Sequence, residues 1–397
     1  MKKNHLFGTM LLAFGAMAFT ACNNENPIVE DVNAPYVPGI PMDDIATPNP
    51  ELDLTELNTV IPNLNYTVDD VNGWAVIRLD MTGVKDPYTN DWVKLYGPGS
   101  GKQNVWLSLD GVPKGFSISN TAEGSEEQQV KAVDLVFLID NSGSMDDEAN
   151  ALADQVYAWA EKLAKSDLDM RFAVVGYDGR ITGGMNFGTI EELDAFLNNG
   201  RWGTSRTTHF VEKEGDDWQT WRDNYFVNWN VDECGVAALR LADEQFSFRP
   251  GANRVYVNFT DEANYYNSDL TSVEYVNPAN GTWKATQGTI HTVLSTSVDD
   301  YWVSGVSNNN PNHYQLPWLL SEYTDGTFIQ VPSNFSGVTL DDLPITGALM
   351  NSYIIKFTNC EEVFDGQPHN VKITVKSESP NGEILADKEF NLVFEKE

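Results

Sequence analysis

The alternation of hydrophobic and polar positions divides most of the chain into three zones. From about residue 56 to 128, and again over the last zone from about 353, short runs of β-forming residues are separated by turns rich in Gly, Pro, Asn and Asp. The clearest runs are GWAVIRLDM, DWVKLYG, NVWLSLDG, SYIIKFT, NVKITVKS and EFNLVFE. This pattern predicts the antiparallel strands of a β-sandwich.

The zone between them has a different pattern. Apolar strands alternate with segments of helical periodicity near 146–165, 190–198, 233–246 and 316–323; the strands are VDLVFLID, MRFAVVGY, RVYVNFTD and GTIHTVLS. Such alternation predicts βαβ units on a mainly parallel sheet flanked by helices. We therefore expect an α/β domain, residues 129–352, inserted into a discontinuous β-sandwich of residues 56–128 and 353–397. Three consecutive domains are the alternative.

The N-terminus has the features of an export signal. Two lysines precede the apolar run LFGTMLLAFGAMAFTA, which predicts a signal peptide over residues 1–21. The small residues before Cys22 resemble the lipobox of bacterial lipoproteins, although Phe19 stands where Leu is usual. Cys22 would then carry the lipid, and residues 22–55, with six prolines, would form a semi-rigid tether. Plain secretion is the alternative.

The net charge of the chain makes two classes of binding partner unfavourable. The chain has 58 acidic and 25 basic residues and a net charge of −33, so nucleic acid and bare anionic lipid are poor partners. No later segment has the roughly 20 apolar residues of a spanning helix, so we expect the lipid alone to hold the protein at the membrane. The residues after Cys22, Asn-Asn-Glu, favour an outer-membrane location, on the surface or the periplasmic face. Cys234 and Cys360 fall in different predicted domains, and we expect free thiols.

Polar oxygens follow the first strand of the α/β zone. Asp140, Ser142 and Ser144 come directly after the apolar VFLI. Ligands of parallel sheets bind beyond the carboxyl ends of the strands, and carboxylate and hydroxyl oxygens suit a hard cation such as Mg²⁺. One loop cannot complete such a site, so further ligands are expected at neighbouring strand ends. Asp261 ends the strand RVYVNFT, and Glu233 opens a predicted helix.

At this point the sequence resembles a von Willebrand factor A (VWA) domain with a metal-ion-dependent adhesion site (MIDAS), in a lipoprotein of Bacteroidetes type. The resemblance covers about 220 residues and rests on FLIDNSGSM, RPGANRVYVNFTDE and PWLLSEYTDGTFIQV. It implies five metal ligands: Asp140, Ser142, Ser144, Glu233 and Asp261. The family usually has Thr where Glu233 stands, and this departure resembles the I-like domain of integrin β subunits.

The integrin resemblance also implies an adjacent Ca²⁺ site at Asp147 and Glu148. The alternative is that these acidic residues only interact favourably with a helix dipole. A metal held partly by hydroxyls keeps an open position, so we expect a protein ligand to bind through an acidic side chain, without a catalytic step. Mg²⁺ is the first choice of cation; Mn²⁺ and Ca²⁺ would also suit. Asp325, in the sequence Thr-Asp-Gly, resembles the last metal ligand of the family, but it follows a predicted helix, so Asp261 is preferred.

Two aromatic loops are candidates for a ligand-binding rim. They hold Trp202, Trp218, Trp221, Tyr225 and Trp229 before Glu233, and Tyr265, Tyr266 and Tyr275 after Asp261. The alternative is that the first group packs a small core. Aromatic rings also stack on sugars, so a glycan-binding or glycan-processing accessory lipoprotein is the second functional hypothesis. We find no HExxH motif, no Gly-x-Ser-x-Gly elbow and no paired acid and base to support an enzyme.

Overall fold

The computed structural model describes residues 37–120, 131–146, 148–166, 168–198, 217–227, 233–300, 303, 313–334, 347, 349–358 and 360–395. A six-stranded sheet forms the centre of the α/β part. In chain order its strands are β6 (Lys131–Asp140), β7 (Leu168–Tyr177), β8 (Ile181–Gly188), β9 (Asn253–Thr260), β11 (Thr289–Leu294) and β13 (Phe328–Gln330). They lie in the order β13-β11-β9-β6-β7-β8, and only β8 is antiparallel to its neighbour. The predicted fold class, a mainly parallel sheet flanked by helices and accompanied by antiparallel sheets, is confirmed.

Helices cover both faces of this sheet because successive side chains of a strand point to opposite faces. On β6, Leu135 and Phe137 pack against the face that carries α1 (Ala149–Ala164) and α2 (Ile190–Leu197). The alternate residues Val136 and Leu138 pack on the other face with α3 (Trp218–Asn224), α4 (Gly235–Gln245) and α5 (Leu319–Tyr323). The apolar run of β6 is therefore a strand buried on both sides, as its continuous hydrophobicity predicts.

The strand order reverses beside β6. The chain passes from β6 to β7 on one side and later returns to place β9 on the other. In a parallel sheet, such a switch point leaves a crevice at the carboxyl ends of the two strands. The loops that follow β6 and β9 therefore meet at one place.

Two four-stranded antiparallel sheets surround a second core. One has the order β1-β2-β14-β5 and the other β16-β15-β3-β4. The strands are β1 (Leu64–Val71), β2 (Trp74–Met81), β3 (Val105–Leu109), β4 (Val112–Pro113), β5 (Phe116–Asn120), β14 (Tyr353–Phe357), β15 (His369–Ser379) and β16 (Gly382–Leu392). Each sheet combines strands that precede and follow the α/β part, and side chains of both sheets form one hydrophobic cluster.

A small two-stranded sheet, β10 (Asn264–Tyr265) with β12 (Tyr314–Gln315), lies in the loops of the α/β part. Short 3-10 turns complete the described structure, among them Gly143–Asp146 between β6 and α1. No helix in the described ranges has the length and apolar character needed to cross a membrane.

Part of the predicted tether packs on the sandwich. Val37 and Ile40 are buried against Val76. Asp43 accepts hydrogen bonds from the backbone of Gly115 at 2.8 Å and from Lys114 Nζ at 3.0 Å. Residues 22–36 lie outside the described residues, and so does the predicted signal peptide. The described tether residues from Val37 onward are thus part of the folded body.

Candidate metal centre

The carboxylate of Asp140 lies at the base of the site, at the end of β6. Its side chain is fully buried. The backbone N–H of Ser142 donates to Oδ1 at 2.9 Å, and the hydroxyl of Thr260 donates to Oδ2 at 2.9 Å. Thr260 ends β9, the neighbour of β6, so this carboxylate is held by the loop after β6 and by the end of β9.

The two serines extend from Asp140 towards the next strand end. Ser142 Oγ and Ser144 Oγ are 2.8 Å apart, and Ser144 Oγ donates to Asp261 Oδ1 at 3.1 Å. Ser142 is 8% exposed, whereas Ser144 belongs to the exposed residues. Asp140, Ser142, Ser144 and Asp261 therefore form one connected group that runs from a buried base to the surface.

Glu233 lies beside this group, just before α4. It is 5% exposed, and its backbone oxygen accepts the N–H of Tyr265 at 2.7 Å. Burial raises the pKa of its carboxyl strongly; the negative charge of Asp140 and a hydrogen bond with Glu262 raise it further. Glu233 is thus electrostatically coupled to Asp140, while its side-chain hydrogen bond is to Glu262.

The carboxyl groups of the site raise one another's pKa because their negative charges lie close together. Burial raises the pKa of Asp140 well above its usual value, with Asp261 as the second cause. The pKa of Asp261 is raised to about 6 by burial and then by Glu262. Among the residues that the structure describes, no lysine or arginine forms an ion pair with either aspartate.

The buried carboxylate of Asp140 and the partly buried one of Asp261 lie next to two hydroxyls and have no cationic side chain paired with them among the described residues, a set that fits the oxygen ligands of a hard divalent ion. Within the described ranges, no three His, Cys, Asp or Glu side chains are arranged to hold a metal by themselves. A cation at this place would therefore take the serine hydroxyls together with the carboxylates. This is the donor set that the sequence pattern predicts.

Of the two residues of the predicted adjacent Ca²⁺ site, only Glu148 is among the described residues. Asp147 lies outside the described residues. Glu148 is 2% exposed, and its Oε1 accepts a hydrogen bond from Ser295 Oγ at 3.1 Å. Ser295 follows β11, so the side chain of Glu148 reaches under the loop into the protein. The second ion remains a prediction.

The first aromatic group lies mainly in the core where it is described. Trp218 is 2% exposed and Tyr225 5% exposed, and the ring of Trp221 packs edge-on against Trp218 with 4.8 Å between centroids. Trp218 and Tyr225 are thus not rim residues; they belong to the hydrophobic cluster on the α4 face of the sheet, in line with the alternative that this group packs a core. Trp202 and Trp229 lie outside the described residues.

The second aromatic group is fixed by the small β10–β12 sheet. Tyr265 stacks on His313 with 5.6 Å between ring centroids, and Tyr266 is tilted against the same ring. Both tyrosines are half-buried. Because the backbone of Tyr265 is bonded to Glu233, this group adjoins the carboxylates.

Three residues of the site were missed by the sequence analysis. Thr260 holds Asp140, Glu262 contacts Glu233, and the charge of Asp300 raises the pKa of Asp261. The stretch NFTDE could have indicated the first two, since both flank Asp261. Asp300 comes from the loop after β11, and no local pattern predicts its approach.

Asp325 lies at the opposite end of the sheet. Its neighbour Thr324 accepts the N–H of Ile290 at 2.9 Å, and Ile290 is the second residue of β11. Asp325 is therefore at the amino end of the parallel strands, where it contacts Lys388.

No known protein family matches the chain, and no curated protein sequence matches it. Among solved structures, it is similar to an aerotolerance-related membrane protein from Bacteroides fragilis, with 15% identity over 51% of this chain and 93% of that chain and a TM-score of 0.30. It is also similar to the pilus adhesin SpaC from Lactobacillus rhamnosus GG, with 10% identity over 83% of this chain and 47% of that chain and a TM-score of 0.35. A third similar structure is that of proximal thread matrix protein 1 from the mussel byssus, which has a zinc-occupied MIDAS motif. The identity is 12% over 60% of this chain and 49% of that chain, and the TM-score is 0.35.

Proposed function

We propose that this chain is a lipid-anchored envelope protein that binds an acidic side chain of a protein partner through a divalent cation. The cation would be held by Asp140, Ser142, Ser144 and Asp261, with Glu233 beside them, in a VWA-type α/β domain. The connected group that joins the ends of β6 and β9 is the observation that carries the proposal.

The arrangement favours binding over chemistry. Ser144 is exposed at the outer end of the group, so a partner can approach there, while Thr260 and the backbone of Ser142 hold Asp140 from below. A bound Mg²⁺, Mn²⁺ or Ca²⁺ would offer the partner's carboxylate an electrophilic position. We propose no catalytic role for the chain.

The proposed location follows from the sequence. A lipid on Cys22 would anchor the protein in the outer membrane, facing the cell surface or the periplasm. Since Val37 and Ile40 pack on the sandwich, we assign the proposed spacer to residues 22–36. Adhesion and assembly of an envelope complex are the two roles that suit such a body.

Calorimetric titration tests the metal site. Mg²⁺, Mn²⁺ and Ca²⁺ are titrated into chelator-treated protein comprising residues 23–397, beside the variants Asp140→Asn and Asp154→Asn. Asp154 is an exposed residue of α1 and serves as the matched control for the loss of one charge. We expect saturable binding in the parent and the control and none in Asp140→Asn. Equal binding in all three proteins would refute the site.

Glu233→Thr tests the departure from the usual family pattern. If Glu233 supplies a third carboxylate, its replacement reduces metal affinity and strengthens the pull of the ion on an acidic partner. Unchanged affinities for metal and partner would show that Glu233 is not a ligand. Partner capture on bacterial or host surfaces, compared in Mg²⁺ and in EDTA, then tests the binding role separately.

A further inference from the structure

Three side chains from distant parts of the sequence meet at one edge of the sandwich. Lys388 of β16 donates to Asn63 Oδ1 at 2.9 Å and contacts Asp325 Oδ2. Asn63 immediately precedes β1, and Asp325 belongs to the α/β part. One amine is therefore in contact with both a carboxamide and a carboxyl group.

We propose that Lys388 and Asn63 are a site of self-catalysed amide cross-linking, with Asp325 as the catalytic acid and base. The bond would join the first and the last strand of the sandwich covalently. It is independent of the metal site, which lies at the other end of the parallel sheet.

The reaction balances without any co-reactant. The neutral amine of Lys388 attacks Cγ of Asn63, and a new C–N bond forms. Asp325 passes a proton from Nζ to the leaving Nδ2, the Cγ–Nδ2 bond breaks, and ammonia departs. The products are a secondary amide and ammonia, and the carboxyl group of Asp325 is restored. Because the fold holds the reacting groups next to one another, the reaction is effectively unimolecular and faster than the same reaction between separate molecules.

The surroundings favour the neutral amine that the reaction needs. Asn63 is 9% exposed, and the Lys388 ammonium position lies 4.9 Å from the ring centroid of Phe390, which is itself 2% exposed. Burial lowers the pKa of Lys388, although Asp325 opposes this shift. The side chains of Lys388 and Asp325 are 22% and 30% exposed, so the amine is partly shielded from water, and this shielding favours its uncharged form.

Each reactant is held by separate contacts. Asn63 Nδ2 donates to the backbone oxygen of Gly288 at 3.2 Å, which turns its carbonyl oxygen towards Lys388. Asp325 has a positive φ of 53°, and its neighbour Gly326 has no room for a side chain because a Cβ would lie 1.8 Å from the backbone oxygen of Ile290. The loop that carries the acid is thus packed closely against β11.

The cross-link would close an edge that otherwise depends on side chains. β1 and β16 are the edge strands of different sheets, and no ladder of backbone hydrogen bonds joins them in the described structure. Tyr66 of β1 contacts the residues just after β16: its hydroxyl donates to the backbone of Val393, and its ring lies 4.9 Å from that of Phe394. A covalent bond there would keep the two sheets together under load applied through the N-terminus.

Intact mass spectrometry of the denatured, purified full chain tests the proposal. Three proteins are compared: the parent, Lys388→Arg and Asp325→Asn. Arginine retains the positive charge beside Asp325 but is not nucleophilic at neutral pH, so it is the matched control. After correction for the substitutions, we expect the parent to be lighter than both variants by one ammonia. A proteolytic digest should contain one branched peptide that joins residue 63 to residue 388.

Succinimide formation also releases ammonia, and the chain contains Asn-Gly at residues 72–73, 199–200, 280–281 and 381–382. The digest separates the two reactions, because a succinimide leaves Lys388 free and gives no branched peptide. A parent of full mass, or an ammonia loss that persists in Lys388→Arg, would overturn the proposal. The primary measurement is made on the parent, so a variant that fails to fold does not obscure the result.

Discussion

At the scale of single residues, two aspartates of the proposed metal site are unfavourable for the fold at neutral pH. Asp140 and Asp261 have pKa values raised first by burial. A carboxyl group whose pKa is higher in the folded state binds more protons there, so the free energy of unfolding falls as pH rises from its unfolded pKa towards its folded one. These two carboxyl groups therefore lower the stability of the metal-free fold at neutral pH, and the proposed metal site would account for their presence.

The pH dependence of the metal-free protein should reveal this. Between about pH 4, where an unfolded aspartate titrates, and pH 6 and above, these two carboxyl groups make an unfavourable contribution that grows with pH. A cation must displace the retained protons, so its affinity should rise about tenfold per pH unit for each proton released below pH 6. Calorimetry at several pH values, with and without Mg²⁺, measures both trends. A metal affinity that is constant from pH 5 to 7 would contradict the assignment.

Thr260 is a positioning residue for Asp140. Its hydroxyl holds Oδ2 of that carboxylate, and loss of such an outer contact typically reduces metal affinity about 10- to 100-fold. We expect Thr260→Val to lower Mg²⁺ affinity within that range while the protein remains folded. Thr292→Val is the control, because Thr292 is equally buried on the neighbouring strand β11 but is bonded to Ser321. Equal losses in both variants would indicate a general effect on the sheet.

At the scale of elements, the sequence predicts the strands that bury both faces and the helices between them. The predicted helix over 190–198 is observed as α2, which begins at a capping box: Thr189 accepts the N–H of Glu192, and Glu192 accepts that of Thr189. Antiparallel β8 and helix α3 were not predicted. The sequence of β8, ITGGMNFG, has three glycines, and one of them, Gly184, is required because a Cβ there would clash with the backbone oxygen of Val174 and lie 2.6 Å from the ring of Trp218. Such a close approach between separate elements leaves no periodic pattern.

The amino end of the central sheet depends on one buried carboxylate. Asp134 of β6 is fully buried and accepts hydrogen bonds from Arg171 Nη2 at 2.8 Å and from Arg249 Nε at 2.9 Å. Arg171 lies on β7, and Arg249 comes before β9. Asp134 therefore joins β6 to β7 and to the turn that precedes β9.

Asp134→Ala should lower the free energy of unfolding by about 3–5 kcal/mol, because it leaves two arginines without their buried partner. The control is Asp169→Ala, which removes a second partner of Arg249 whose side chain is 56% exposed; a loss of at most about 1 kcal/mol is expected. Urea denaturation of the metal-free proteins gives both values. Similar losses in the two variants would show that the burial of Asp134 does not decide its contribution.

At the scale of the whole molecule, the α/β part and the sandwich are in direct contact, and the sequence gives no sign of where. Asn65 of β1 donates to the backbone oxygen of Ala252. Gly251, in the turn before β9, faces Thr67 of the same strand. The sequence can predict a glycine in this turn. It cannot predict that the glycine leaves room for Thr67, because that contact depends on the tertiary structure. The sequence predicts Val37 and Ile40 to belong to the tether, but they pack on the sandwich, and this contact too depends on the tertiary structure.

Gly251→Ala tests this contact. The residue has φ +67°, and a Cβ would lie 1.9 Å from Thr67 Cγ2. Gly281 has nearly the same φ, +65°, with no atom within 4 Å of a Cβ, so Gly281→Ala measures the backbone strain alone, about 1–2 kcal/mol. We expect Gly251→Ala to lower the free energy of unfolding by more than Gly281→Ala, and Thr67→Ala to restore most of the difference. If the two glycine variants lose the same stability, or if Thr67→Ala restores nothing, β1 and the turn before β9 are not in contact in solution.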